Sequence, residues 1–228
     1  LETIRYDDAS SLAFLLDFLG LDRNADPYDR IVYSDDVNRE TLDGWGASAR
    51  LRTRIGGVTL TNVAAYRSHE YDSRFDTDRS PLRIGYDGDP EEVWRASEEL
   101  RLNWETGPVS WLAGVYFYHQ DGSNQSFTGV IAGSDANMIT TSSAVFGSAT
   151  WSVNERFDIT LGARWVRDEK EIDYTQYDPV FLLGGSGTIQ ASDSWVEITP
   201  NLNVRYRFTP DVMAYLTVSN GFKSGGFN

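Results

Sequence analysis

The sequence predicts an all-β chain: about eight antiparallel strands that form a segment of a transmembrane, up-and-down β-barrel. Three observations predict it. Apolar and polar residues alternate with period two over long runs, short and long connections alternate between the runs, and aromatic rings gather near the run ends.

In chain order, the first run is residues 45–55. Trp45, Ala47, Ala49, Leu51 and Ile55 share one face and Ser48, Arg50, Arg52 and Arg54 the other. Residues 58–68 follow after Gly56 and Gly57, with apolar residues on both faces, so their facing stays open. Residues 93–104 form a weaker run, and residues 109–119 again carry apolar residues on both sides. After residues 142–153 comes a clear run at 157–167, where Phe157, Ile159, Leu161, Ala163 and Trp165 oppose Asp158, Thr160, Gly162 and Arg164. The clearest run is 194–208, SWVEITPNLNVRYRF. Val196, Ile198, Pro200, Leu202, Val204, Tyr206 and Phe208 take one face, and Glu197, Thr199, Asn201, Asn203, Arg205 and Arg207 the other. Residues 212–220 complete the set. Most runs reach the roughly 9–11 residues that a membrane-crossing strand needs.

Connections at 56–57, 106–108, 154–155 and 209–211 are short and rich in Gly, Pro, Asn and Asp, as tight turns between antiparallel neighbours require. Between them lie long polar stretches, 69–92, 120–140 and 173–193, expected to be loops. Short turns at one rim and long loops at the other are the plan of an outer-membrane barrel, with turns periplasmic and loops extracellular. Trp45, Trp104, Trp111, Trp151, Trp165, Tyr206 and Phe208 sit at or near strand ends, where rings with a polar tip favour the two membrane interfaces.

Composition narrows the function. A net charge of −14 over 228 residues argues against nucleic-acid binding, which needs a basic surface. There is no cysteine and only His69 and His119, so thiolate metal sites and histidine-dependent triads lack material. No stretch is apolar for the roughly 18 residues of a membrane helix. The 184–187 run, GGSG, lacks the Lys-Ser/Thr of a phosphate loop. Neighbours such as Glu98 and Glu99 point to opposite faces of a strand and cannot converge on one bond. Acidic loop residues such as Asp72, Asp76, Asp78, Asp87 and Asp89 do not fit the spaced calcium loop. No metal, no cofactor and no enzymatic activity are expected. The alternative from another class is a soluble β-rich carbohydrate-binding or glycoside-hydrolase domain.

Four segments carry a family likeness: ASEELRL at 96–102, WLAGVYFYHQD at 111–121, VFGSATWSVNERFDITLGARWVRDEKE at 145–171 and SNGFKSGGFN at 219–228. They resemble the barrel of TonB-dependent outer-membrane receptors over residues 41–228. Residues 1–40 read as an extracellular loop region leading into the first strand. The resemblance implies a barrel of about 22 strands plugged by a globular domain. The plug, the TonB-contacting segment, the signal peptide and the terminal aromatic strand are expected outside these residues, and contact with the TonB complex only through the plug. It implies a receptor in the bacterial outer membrane, among lipid and lipopolysaccharide, that binds and imports a scarce nutrient, first of all a ferric siderophore or related iron complex.

Binding surfaces in that family are built from extracellular loops and the outer rim of the lumen. The candidates here are Tyr71, Arg74, Phe75, Arg79, Tyr86, Phe127, Tyr174, Tyr177 and Phe181. Arginine pairs with carboxylate or catecholate oxygens, and aromatic faces stack on flat ligands. Arg50, Arg52, Glu99, Arg164, Glu197, Arg205 and Arg207 are expected to line the lumen, pairing across strands and meeting the plug.

Overall fold

The computed structural model describes residues 38–76, 86–129, 132–178 and 185–227. They form one antiparallel sheet of nine strands: β1 Arg39–Ile55, β2 Val58–Asp76, β3 Tyr86–Gly88, β4 Glu91–Thr106, β5 Val109–Thr128, β6 Ala132–Asn154, β7 Phe157–Tyr177, β8 Gly187–Thr209 and β9 Val212–Ser219. Each strand pairs with its chain neighbours, except that β3 and β4 do not pair with each other. The short β3 lies in line with β4: both pair with β2 and with β5 in one unbroken register, across Asp89 and Pro90. Proline has no N–H for the ladder, which accounts for the gap.

The short turns fall where the sequence places them. Gly56 and Gly107 each sit at φ +59° as the first of two turn residues, which suits a type II′ hairpin and excludes most side chains. At the third turn, the Asn154 Oδ1 accepts the Arg156 N–H at 2.9 Å. At the fourth, the Thr209 hydroxyl accepts the Val212 N–H at 3.1 Å. Both of these turns sit beside a register shift.

Register settles the two strands whose facing the sequence leaves open. Leu51 stands opposite Asn62, Asn62 opposite Leu100, and Leu100 opposite Val115, so even residues of β2 and odd residues of β5 share the apolar face. That face runs on through Val145, Trp165 and Ile198. It does not close over a core. Among the described residues the buried apolar side chains are Ala132, Ala144 and Val166, while Leu51, Leu161, Ile198 and Leu216 are each about 60 % exposed. A sheet that turns leucine and isoleucine outward along most of its strands has its apolar solvent outside the molecule. Lipid supplies it.

Two aromatic rows bound this apolar band. Near the short turns, Trp104 stacks on Trp111 at 6.0 Å, and Tyr206 packs on Phe208 at 4.9 Å. At the other edge Trp45, Tyr66, Trp94 and His119 follow one another across four strands at 5.0, 6.1 and 5.1 Å. His119 thus belongs to the interfacial row, and its Nδ1 lies 3.0 Å from the Thr141 hydroxyl. Trp94 and Trp104 are about ten residues apart on β4, about 33 Å of strand at roughly 3.3 Å each. A tilt of roughly 40° turns that into a band about 25 Å tall, the height of a barrel's apolar girdle.

The long stretches expected to be loops are mostly strand. β5, β6, β7 and β8 run 20, 23, 21 and 23 residues. Their outer halves extend as paired hairpins through residues 120–128, 132–140, 168–177 and 187–195. Above the membrane both faces meet water, so the period-two signal vanishes although ladder pairing continues. The hairpin joining β7 to β8 is pinned near its tip. Buried Asp178 accepts the Gly185 N–H at 2.9 Å, and the Asp178 N–H donates to Ser186 Oγ at 2.7 Å. Residues 1–37 lie outside the described residues, and β1 starts at Arg39.

Candidate functional site

The face opposite the apolar band carries most of the charged side chains of the strands, with Val63, Leu112 and Phe146 set among them. Arg50, Arg52, Glu99, Arg164, Glu197, Arg205 and Arg207 all belong to it, as their registers require: Arg50 faces Val63, Val63 faces Glu99, Val166 faces Glu197 and Asp158 faces Arg205. Near the short turns Asp158, 4 % exposed, accepts from Arg205 Nη2 at 2.6 Å and Nε at 3.0 Å, with Arg207 Nη1 at 3.3 Å. The Ser152 hydroxyl donates to the same carboxylate at 2.7 Å. This knot locks the lower rim of β6, β7 and β8.

Half-way up, Arg164 lies over the rings of Tyr116 at 5.2 Å and Phe146 at 5.5 Å. A guanidinium between two ring faces is held without giving up its hydrogen-bonding edge, a ready contact for an oxyanion or a planar ligand. Arg101 pairs with Glu99 beside it. Higher, His69 Nε2 lies 2.9 Å from Glu91 Oε1.

The loop candidates divide between the two faces. Tyr71, Phe75 and Tyr174 take the polar face, Tyr71 donating to Glu40 at 3.1 Å and Tyr174 to Gln176 at 3.2 Å. Arg74, Tyr86, Phe127 and Tyr177 take the opposite face. Arg74 stacks on Tyr86 at 4.5 Å, and Tyr86 meets Phe127 edge-on at 5.6 Å. The structure therefore brings Arg74, Tyr86 and Phe127 into one cluster and separates them from Tyr71. Arg79 and Phe181 lie outside the described residues.

Sequence reading missed one arrangement. After β9 the chain leaves the sheet and crosses the polar face of β7 and β8. Lys170 Nζ donates to the Gly225 carbonyl at 2.7 Å, and its ammonium lies 5.8 Å from the Trp195 ring centroid. A Cβ on Gly225 would stand 2.6 Å from Trp195, so any larger residue there would have to push the indole aside. The GG pair of 225–226 was the available signal, but glycine alone does not name its neighbour. Glu98, conversely, sits on the lipid-side face, accepting from Asn62 Nδ2 at 2.9 Å.

The comparisons with known proteins agree with this geometry. The pesticin receptor of Yersinia pestis is 31 % identical over 85 residues, 37 % of this chain and 12 % of the receptor. Among solved structures, the ferric yersiniabactin uptake receptor of the same organism superposes with a TM-score of 0.65 at 19 % identity, covering 78 % of this chain and 27 % of its own. The siderophore receptor PiuA of Acinetobacter baumannii gives 0.63 at 14 % identity, over 82 % of this chain and 33 % of its own. The chain thus spans a third or less of these relatives. The family described as TonB dependent receptor-like, beta-barrel, matches residues 1–228, which sets aside the soluble carbohydrate-active alternative; its members are transport receptors, not enzymes. The band between the aromatic rows is accordingly an outer-membrane span, the polar face a lumen wall, and this chain belongs to the TonB-dependent receptor β-barrel family.

Proposed function

We propose that the chain is part of the barrel wall and outer mouth of a receptor that captures a ferric siderophore, or a related iron complex, and imports it. The observation that carries this reading is the lumen wall itself. It combines cations, carboxylates and ring-stacked Arg164 on one wet face, the chemistry that grips oxygen-rich iron complexes. The named ligands of its relatives, ferric yersiniabactin and siderophores, are of that class. Residues 41–228 serve as barrel strands and loops and residues 1–40 as an extracellular loop region, within a barrel of about 22 strands. The TonB complex acts through a plug domain. Among the described residues, Tyr71, Phe75 and Tyr174 are the loop candidates on the polar face; Arg79 and Phe181 stay candidates from the sequence alone.

On the outside, just above the upper aromatic row, Asp43, Glu70 and Glu92 stand directly opposite one another on three strands. Like charges in that register repel. Divalent cations bound to lipopolysaccharide are the partners that this reading supplies for them.

The test is uptake of radiolabelled iron complexes by cells carrying the full receptor, with and without a functional TonB. TonB-dependent uptake of a ferric siderophore is the expected result. Uptake of none, with the receptor present in the outer membrane, overturns the ligand assignment.

A further inference from the structure

High on the lumen wall, level with the upper aromatic row, Arg67 of β2 stands directly opposite Arg95 of β4. Two guanidinium groups in that register repel each other, and nothing in the sheet's hydrogen bonding requires them. Arg164 rests on two rings, and three other arginines of the wall have carboxylates, Arg101 with Glu99 and Arg205 and Arg207 sharing Asp158. Among the described residues Arg67 and Arg95 have none. The nearby Glu91 is engaged by His69 at 2.9 Å. Arg95 Nε is moreover shielded from solvent without a hydrogen-bond partner, a costly state for a charged donor.

The wall beside them is hollowed. Gly46 lies opposite Arg67 and Gly44 opposite His69. A Cβ on Gly46 would come within 2.9 Å of Arg67 Cγ, so the arginine stem lies across bare backbone. Gly44, Gly46, Ser48, Arg67, His69 and Arg95 line one recess on this wall. Leu42 and Ala65 line it too, so it is a recess with two arginines over a glycine floor.

We infer that Arg67 and Arg95 form an oxyanion-binding subsite that takes a carboxylate or catecholate group. Each guanidinium offers paired N–H donors in a fixed fork, and an anion between them converts repulsion into two charge-assisted contacts. The group has two sources. It belongs to the iron complex, in which case the inference rests on the receptor reading above, or to an acidic side chain of a plug domain.

The experiment uses the full receptor in proteoliposomes, with Arg67→Gln, Arg95→Gln and Arg95→Lys variants. Equilibrium binding is measured with labelled ferric citrate and a ferric tris-catecholate as anionic probes, and with an uncharged ferric tris-hydroxamate as control. Melting temperature and protease protection of the plug are followed in parallel. With the complex as source, each Gln variant weakens the anionic probes about 10-fold or more, leaves the uncharged probe within about 2-fold, and Arg95→Lys falls between. With the plug as source, binding of all probes holds while melting temperature and protease protection drop. Unchanged binding together with unchanged melting overturns the subsite, as does an equal loss for charged and uncharged probes. Where the parent receptor binds none of the three complexes, the iron-carrier reading fails on its own. Melting and protection then decide the subsite: a drop supports it, no change overturns it.

Discussion

Between Phe157 and Trp165, β7 turns Ile159, Leu161 and Ala163 outward; between Glu169 and Tyr177 the same face of the same strand shows Glu171, Asp173 and Thr175. The ladder to β8 passes through both halves without a break. Backbone pairing is thus indifferent to the medium, and side chains alone record where lipid gives way to water. The lower half is under strict instruction on two faces. The upper half needs only residues that tolerate a strand.

The sharpest way to break that comparison is one arginine placed on each half. Leu161→Arg puts a charge at mid-band and should destabilise the full receptor in lipid vesicles by roughly 2–4 kcal/mol, read from denaturant unfolding. Thr175→Arg, on the same face of the hairpin, should stay within about 0.5 kcal/mol. Equal costs at the two sites would sink the assignment of lipid and water.

A second substitution probes the lumen side at the lower rim. Asp158→Ala strips Arg205 and Arg207 of their shared carboxylate. Both arginines remain partly exposed, so the loss should be about 1–3 kcal/mol. A double-mutant cycle with Arg205→Gln should recover part of it as coupling, and zero coupling would show that the knot is ornamental.

Glu98 makes a smaller, subtler case because it carries a carboxyl into the lipid-facing band. Glu98→Gln keeps an acceptor for Asn62 and removes the ionisable group, so stability in vesicles should hold or rise, by up to about 1 kcal/mol. A clear loss would mean that this face meets something other than hydrocarbon there.

The smallest effect belongs to the hairpins. The Tyr177 hydroxyl titrates above its usual value of 10.0, chiefly because it hydrogen-bonds the Asp135 carboxylate. A raised phenol favours the fold while protonated, so the contact is intact at neutral pH and is lost as pH climbs past that raised value. Phenolate absorbance should show Tyr177→Phe removing a late-titrating group. Removal of an early one would contradict the contact.

These contrasts explain what the sequence made readable. Strands 45–55, 157–167 and 194–208 were legible because one face meets lipid, and the turns were legible because Gly56 and Gly107 adopt φ values that other residues avoid. The hairpin strands were not, since Ser123, Asn124 and Gln125 read as loop unless the partner strand is known. The facing of β2 and β5 needed register, because Val63 and Leu112 place apolar atoms on the lumen wall. Arg50, Arg52, Arg164, Arg205 and Arg207 could be assigned to the polar face by alternation alone, but Arg67 on β2 could not. The opposition of Arg67 and Arg95 is long-range and emerges only from strand pairing.

Every strand of this sheet bonds to those adjoining it in the chain, and β3 with β4 counts as one line. Such a meander is modular. Its folding can advance hairpin by hairpin, each turn seeding the next with only local loop closure. The same property governs its ancestry: a hairpin can be duplicated or deleted without rethreading the rest, so the circumference of the pore is free to change while the wall's grammar stays the same.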